Sequence, residues 1–251
     1  MRRSRHRAFT LTELLVIMGI IGVLVSILMP AISKARDQSV STKCLSNVRQ
    51  IASGLNVYAN RHRGQYPPAL YLGADPTQPF YNYVGLLVEF DCGSAPAQPD
   101  ATSAFSAGES VFRCPAGEDA AGSHGNPTDA GPAGFWRVTS PKGNTYDTWY
   151  GVNASGSDNN GPFPMKRIPV PSTGRKLTSI DQIKSAADTV LVYDGYEIHD
   201  GRINLSARHA GQTAINIGFV DGHGEKFEIT SWPTSYSSLM AMRYPKWHIK
   251  D

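Results

Sequence analysis

The stretch that decides the fold is FTLTELLVIMGIIGVLVSILM, which runs from Phe9 to Met29 and is followed by Pro30. As a helix it would be about 31 Å long, because each residue adds about 1.5 Å, and this length matches the hydrocarbon core of a bilayer. The sequence therefore predicts a membrane-spanning helix close to the N-terminus. Membrane lipid around residues 9–29 is the first partner that it implies.

The residues in front of this span carry the basic charge of the chain. Arg2, Arg3, Arg5 and Arg7 fall within the first eight residues, whereas the formal net charge of the whole chain is +3. Arginines that precede an apolar span hold that end of the chain in the cytoplasm. The basic charge is thus a signal for topology, and no nucleic-acid partner is predicted from it.

The span contains one acidic residue, Glu13. A carboxylate inside an apolar span is costly unless it is paired, and such residues are usually functional. The alternative is that Glu13 lies near the lipid headgroups at little cost. A cleaved secretory signal is also considered, but the apolar run from Leu14 to Met29 has 16 residues. That is slightly longer than the 7–15 residues of such signals, and Ser33-Lys34-Ala35 offers a weak form of the small-x-small cleavage site that follows them.

The segment from Ala8 to Ile17, AFTLTELLVI, resembles the N-terminal motif of type IV pilins and type II secretion pseudopilins. The resemblance implies that a prepilin peptidase cuts between Ala8 and Phe9 and methylates the new N-terminus at Phe9. It also implies that Glu13 pairs with the N-terminus of a neighbouring subunit and so sets the register of assembly. Ala8 departs from the family pattern, in which Gly is commonest.

Residues 31–62 have apolar side chains at steps of three and four, which predicts an amphipathic helix that continues the span. Polar residues, Asn47 and Arg49 among them, cover the opposite face, and Gly64 suits the C-terminal cap. The expected stripe consists of Ile32, Ala35, Val40, Cys44, Leu45, Val48, Ile51, Ala52, Leu55 and Tyr58.

The fold class expected is α+β: a long N-terminal helix with a transmembrane first half, packed on a small antiparallel β-sheet with long loops, as in pilins. Its parts would be a cleaved leader (1–8), the transmembrane segment (9–30), the amphipathic continuation (31–64) and an exported loop-rich globular domain (65–251). Apolar runs and turn signals predict strands at 149–153, 189–193, 213–220 and 226–229, with short helices at 177–184 and 237–244.

Two Asp-Gly pairs are read as turns that end strands, at Asp194 and at Asp221. The segment from Arg208 to His223 resembles the C-terminal part of pilin-like proteins that carry a motif of His, nine residues and Asp-Gly. Here eleven residues separate His209 from Asp221. Asp194, His209 and Asp221 are candidate calcium ligands if they meet at one end of the sheet. Otherwise the two aspartates are turn residues and His209 hydrogen-bonds a loop.

The chain has three cysteines, too few for a disulfide scaffold. On the oxidising side of the membrane, Cys92 and Cys114 are expected to form a disulfide, while Cys44 is expected to pack as a small hydrophobic residue. The sequence contains no nucleophile elbow, phosphate-binding loop or dinucleotide fingerprint. The chain is therefore predicted not to be an enzyme, and no cofactor is expected apart from the calcium alternative.

The function expected is that of a structural subunit of a type II secretion pseudopilus or a type IV pilus-like filament. Its partners would be prepilin peptidase, other pilin-like subunits and the assembly platform of the inner membrane. The chain would cross that membrane once, with the N-terminus cytoplasmic, before entering a periplasmic filament. The alternatives are an exported enzyme with an unrecognised site and a membrane-anchored adhesin or carbohydrate binder. In the binder, Trp136, Tyr146, Trp149 and Trp247 would stack on sugars.

Overall fold

A computed structural model describes residues 10–71, 81–89, 110–117, 121–122, 135–139, 145–154, 164–165, 167–168, 177–199, 202–205, 208–209, 213–228, 242–247 and 249. The predicted processing site at Ala8 and Phe9 lies outside these residues, and so does Cys92. Most of the predicted helix at 237–244 lies outside them as well. By its internal contacts the chain divides into two units, residues 1–39 and 40–251.

The first helix, α1, runs from Leu11 to Arg61 and remains helical through Pro30. It ends at the predicted cap, where the N–H of Gly64 donates to the carbonyl of Ala59 at 2.8 Å. Gly64 has a φ of 78°, the left-handed conformation in which glycine is favoured at a helix C-terminus.

The apolar stripe is confirmed for the part of α1 after Val40. Two members of the expected stripe, Ile32 and Ala35, are exposed. Asn47 was expected on the polar face, and this is wrong, because its side chain is 1% exposed. The buried residues of α1 are Ser41, Cys44, Asn47, Val48, Ile51, Ala52, Gly54, Leu55, Tyr58 and Ala59.

Eleven strands and a second helix follow within the described residues. The helix α2 spans Tyr83–Glu89, and the segment Ile180–Gln182 forms a 3-10 helix where a short helix was expected. The strands are β1 (Leu70–Tyr71), β2 (Tyr81–Asn82), β3 (Ala121–Gly122), β4 (Phe135–Thr139), β5 (Thr145–Thr148), β6 (Tyr150–Val152), β7 (Arg167–Ile168), β8 (Val190–His199), β9 (Arg202–Leu205), β10 (Ala214–Phe219) and β11 (Gly224–Glu228).

The main sheet has the strand order β11–β10–β8–β6. The strand β9 pairs with the C-terminal part of β8. Every pairing in this sheet is antiparallel. Two smaller sheets have the orders β2–β1–β7 and β3–β4–β5. The strands predicted at β6, β8, β10 and β11 are present. The expected α+β arrangement, a long N-terminal helix with a small antiparallel sheet, is therefore confirmed.

The two Asp-Gly pairs at which strands were predicted to end behave differently. The pair at Asp221 and Gly222 forms the predicted turn between β10 and β11, and Gly222 has a φ of 93°. At Asp194 the predicted end of the strand is wrong, because β8 continues to His199 and pairs with β9 after a register shift between Gly195 and Ile198. Asp194 thereby lies inside a strand, opposite Tyr150 of β6.

Close contact between α1 and β10 depends on Gly218. A Cβ at this position would lie 2.7 Å from side-chain atoms of both Val48 and Val192, too near for any real side chain. Glycine here allows the backbone of β10 to approach the helix. Polar side chains of α1 in this region reach the backbone next to β10: Arg49 donates to the carbonyl of Gly224 at 2.7 Å, and Asn56 donates to the carbonyl of Val220 at 2.7 Å.

Candidate functional site

The N-terminal end of α1 holds Glu13 in a capping arrangement. Its Oε2 accepts hydrogen bonds from the backbone N–H of Thr10 at 2.9 Å and from the Thr10 hydroxyl at 2.7 Å. The N–H of Glu13 donates in return to Oγ1 of Thr10 at 3.3 Å. This is the reciprocal pattern of a capping box. In the single chain, the carboxylate therefore has a local partner.

The first part of α1 is exposed on every side. All described residues from Thr10 to Ser39 are exposed, among them Leu11 at 80% and Met29 at 68%. The helix is long and apolar enough to cross a membrane, with a mean hydropathy of 2.7 over 18 residues, none of them buried. Gly19 and Gly22 have open space where a Cβ would be. The chain's own described residues thus leave this apolar surface uncovered.

A second group of polar side chains is buried between α1 and the main sheet. Asp194 is 0% exposed and His209 is 3% exposed. The His209 Nε2 lies 3.0 Å from Oδ2 of Asp194, which also accepts the backbone N–H of Asn216 at 2.7 Å. The structure thus brings together two of the three candidate calcium ligands.

The third candidate ligand, Asp221, lies in the exposed turn between β10 and β11. Its Oδ1 accepts the backbone N–H of His223 at 3.0 Å and lies 2.6 Å from Nδ1 of the same residue. Asp221 is therefore a turn residue, as one alternative had it, and it is paired with His223 rather than with His209. The calcium alternative remains an expectation based on its ligand chemistry.

The cysteine pairing differs from the one expected. Cys114 forms a disulfide with Cys44, and not with Cys92, across a Cα–Cα distance of 5.2 Å. Both cysteines are 0% exposed. The bond joins α1 to the segment 110–117, and Sγ of Cys114 lies 3.8 Å from Nε2 of His209. Cys44 is thus buried on the stripe, as expected, but as half of a covalent link.

Several residues around this disulfide carried no assigned role in the sequence. The side-chain amide of Asn47 donates to the carbonyl of Arg113 at 2.8 Å and to the hydroxyl of Tyr150 at 3.3 Å. Arg208 donates to the carbonyl of Trp149 at 2.6 Å. The position of Asn47 on the apolar stripe, three residues after Cys44, is the one signal that could have identified it.

The electrostatics of this region follow from its burial. Burial raises the pKa of Tyr150 well above its usual value, and the negative charge of Asp194 raises it further. Within the described residues, Oδ1 of Asp194 makes no hydrogen bond, and the side-chain amide of Asn216 makes none either. Buried polar atoms are normally paired, so these atoms are exceptions to the usual pattern.

Residues 3–29 match the family model described as the prokaryotic N-terminal methylation motif. The type II secretion system core protein G of Klebsiella michiganensis is 34% identical over 58 residues, which are 23% of this chain and 41% of that protein. The match thus spans about two-fifths of the relative's length. No solved structure matches the chain.

Proposed function

We propose that this chain, whose residues 3–29 match the prokaryotic N-terminal methylation motif, is a non-enzymatic structural subunit of a type II secretion pseudopilus or a related filament. Prepilin peptidase cuts it between Ala8 and Phe9 and methylates Phe9. The chain waits in the inner membrane through residues 9–29, with residues 65–251 on the exported side. It then joins other pilin-like subunits at the assembly platform.

The observation that carries this proposal is the uncovered apolar half of α1, with one carboxylate near its start. In lipid or in a bundle of such helices, the apolar side chains from Leu11 to Met29 are covered. On assembly, Glu13 exchanges its local partner Thr10 for the amino group of Phe9 on a neighbouring chain. A chain that misses this partner leaves a charge unpaired in an apolar bundle, so the pair selects one register.

The alternative of a membrane-anchored sugar binder has less support. Trp149 and Trp247 are 3% and 0% exposed, so both belong to the core and cannot stack on a sugar. The side chains of Trp136 and Tyr146 lie outside the described part of the chain. The binder and the filament subunit also differ in what they require of Glu13, and this gives the test.

The experiment is a Glu13→Leu substitution in cells that contain the peptidase and the assembly platform. Breaking a buried pair costs about 3–5 kcal/mol, so sheared filament should fall roughly a hundredfold or more, while the amount of chain in the membrane fraction stays unchanged. Asp37→Asn is the matched control, because Asp37 is an exposed carboxylate on the same helix, after Pro30. Normal assembly of the Glu13→Leu variant would contradict the proposal and favour the binder.

A further inference from the structure

The proposed filament role does not involve one cluster of buried side chains between α1 and the segments around it. Cys44, Cys114 and His209 each offer one ligand atom, and these three atoms all lie within 4.8 Å of one another. The three residues come from α1, from the segment 110–117 and from the segment that precedes β10. Each of them is at most 3% exposed.

We propose that reduction of the Cys44–Cys114 disulfide converts this cluster into a zinc site. The two thiolates and Nε2 of His209 supply three ligands, and the carboxylate of Asp194 supplies the fourth. Zinc prefers four ligands of this kind, sulfur and imidazole nitrogen with a carboxylate oxygen, in a tetrahedral arrangement. The proposal does not depend on the filament role.

The distances support the site before any metal is bound. Tetrahedral zinc with Zn–S of about 2.3 Å and Zn–N of about 2.0 Å places a sulfur and a nitrogen ligand about 3.5 Å apart. In the structure, Sγ of Cys114 and Nε2 of His209 are 3.8 Å apart, and Nε2 lies 3.0 Å from Oδ2 of Asp194. Two changes are needed. The two sulfurs must separate by about 1.7 Å, from a bond to the spacing of two zinc ligands. The Asp194 carboxylate, which is close to Nε2 of His209 but lies outside the group whose ligand atoms are all within 4.8 Å of one another, must also move towards the sulfurs.

The surroundings suit a bound cation. Oδ1 of Asp194 makes no hydrogen bond within the described residues, so the buried carboxylate has acceptor capacity left for a metal. The N–H of Asn216, 2.7 Å from Oδ2, holds the carboxylate in place. Partners of this kind orient metal ligands and contribute to metal affinity.

The chemistry balances in two steps. A dithiol reductant gives two electrons and two protons to the S–S bond, which breaks into two thiols while the reductant becomes a disulfide. Zinc then displaces the thiol protons of Cys44 and Cys114, and two protons leave to solvent. In both states α1 remains linked to the segment 110–117, and in the zinc state His209 joins that link.

The experiment uses the full chain in detergent micelles, with and without reduction by a phosphine, which ends as the phosphine oxide after taking oxygen from water. The reduced protein should bind one Zn²⁺ per chain, and the oxidised protein should bind none. Co²⁺ in place of zinc should give thiolate-to-cobalt charge-transfer bands and the strong visible absorption of a tetrahedral site. His209→Ala should lower zinc affinity by at least about tenfold.

The control is His223→Ala, which removes a partly exposed histidine and should leave zinc affinity unchanged. A reduced wild-type protein that binds no zinc overturns the proposal, and so does a folded His209→Ala variant that binds as tightly as wild type. If His209→Ala fails to fold, alkylation of the wild type decides. Protection of Cys44 and Cys114 by zinc supports the site, and equal alkylation rates with and without zinc overturn it.

Discussion

The two parts of α1 are one continuous helix with opposite surroundings. From Leu11 to Ser39 every residue is exposed, although most of this stretch is apolar. From Val40 to Arg61 the apolar side chains form a stripe, and Cys44, Val48 and Leu55 are completely buried. The same kinds of side chain are thus covered by the chain's own sheet in one part and left uncovered in the other.

The two parts of α1 are therefore stabilised by different surroundings. An amphipathic helix is stabilised by burying one face on its own protein, whereas a helix that is apolar all round needs lipid or other helices. The second part of α1 therefore contributes to the stability of the domain. The proposed function assigns the first part to anchoring and assembly.

The largest effect concerns the covalent link, which only the second part of α1 has. Replacing Cys44 and Cys114 together by Ala should lower the free energy of unfolding by about 4 kcal/mol, because the disulfide joins residues 70 apart in sequence. Urea unfolding without added metal, followed by tryptophan fluorescence, measures this. Cys92→Ala should leave the disulfide intact in peptide maps. Loss of the disulfide in that variant would mean that the wild-type protein pairs Cys92 with Cys114, as expected from the sequence.

The same substitution in the two parts of α1 gives the next effect. Leu55→Ala removes a side chain that is 0% exposed and should cost about 3 kcal/mol of unfolding free energy. Leu24→Ala removes one that is 61% exposed, and it should leave domain unfolding in detergent within about 0.5 kcal/mol of wild type. Equal losses in the two variants would mean that the division of α1 is wrong.

Alkaline pH should destabilise only the second unit, since the described residues before Val40 contain no tyrosine. Burial raises the pKa values of Tyr66, Tyr83 and Tyr150, and that of Tyr244 rises to about 12. A raised pKa means that the folded state keeps the proton longer than the unfolded state does. The stability it contributes is therefore complete below about pH 10, the unfolded value, and falls as pH rises further.

The measurement is the free energy of unfolding against pH, together with tyrosinate absorbance. Above about pH 10, each fully buried tyrosine should remove about 1.4 kcal/mol per pH unit until the folded protein releases its proton. Tyr83→Phe should make this slope shallower. A flat profile between pH 10 and 11.5, with all tyrosines titrating in the folded protein, would contradict the burial described for Tyr66, Tyr83 and Tyr150.

Local patterns predicted the parts of the fold that depend on neighbouring residues. The stripe around Val48 and Leu55 follows from helical spacing, and the turn at Asp221 follows from a glycine that must adopt a positive φ. Asp194 and the following glycine form the same dipeptide, but pairing with β9 keeps the strand extended there. β9 begins only seven residues after Gly195, and a third Asp-Gly pair, Asp200-Gly201, separates it from β8 in the sequence. That pair is a local hairpin signal, and it was missed.

The candidate site depended on contacts that are distant in the sequence. A disulfide of Cys114 was predicted with Cys92 as its partner, and this is wrong because Cys114 packs against Cys44 of α1. The correct partner depends on which segment packs on α1. The pairing of Asp194 with His209 was anticipated, while the inclusion of Asp221 was not supported. The stretch Asn47-Val48-Arg49-Gln50 resembles the same pilin-like proteins as the segment from Arg208 to His223, but that resemblance gave Asn47 no role. A buried amide such as that of Asn47 or Asn216 is revealed only when both packing partners are placed.

The central claim is that the first part of α1 belongs to a processed pilin-like subunit. The most direct test is the intact mass of the chain isolated from cells with and without prepilin peptidase. With the peptidase, the mass should correspond to a chain that begins at Phe9 and carries one extra methyl group. Without it, residues 1–8 should remain. An uncut chain in the presence of the peptidase, or a cut after Ala35 as for a secretory signal, would contradict the account.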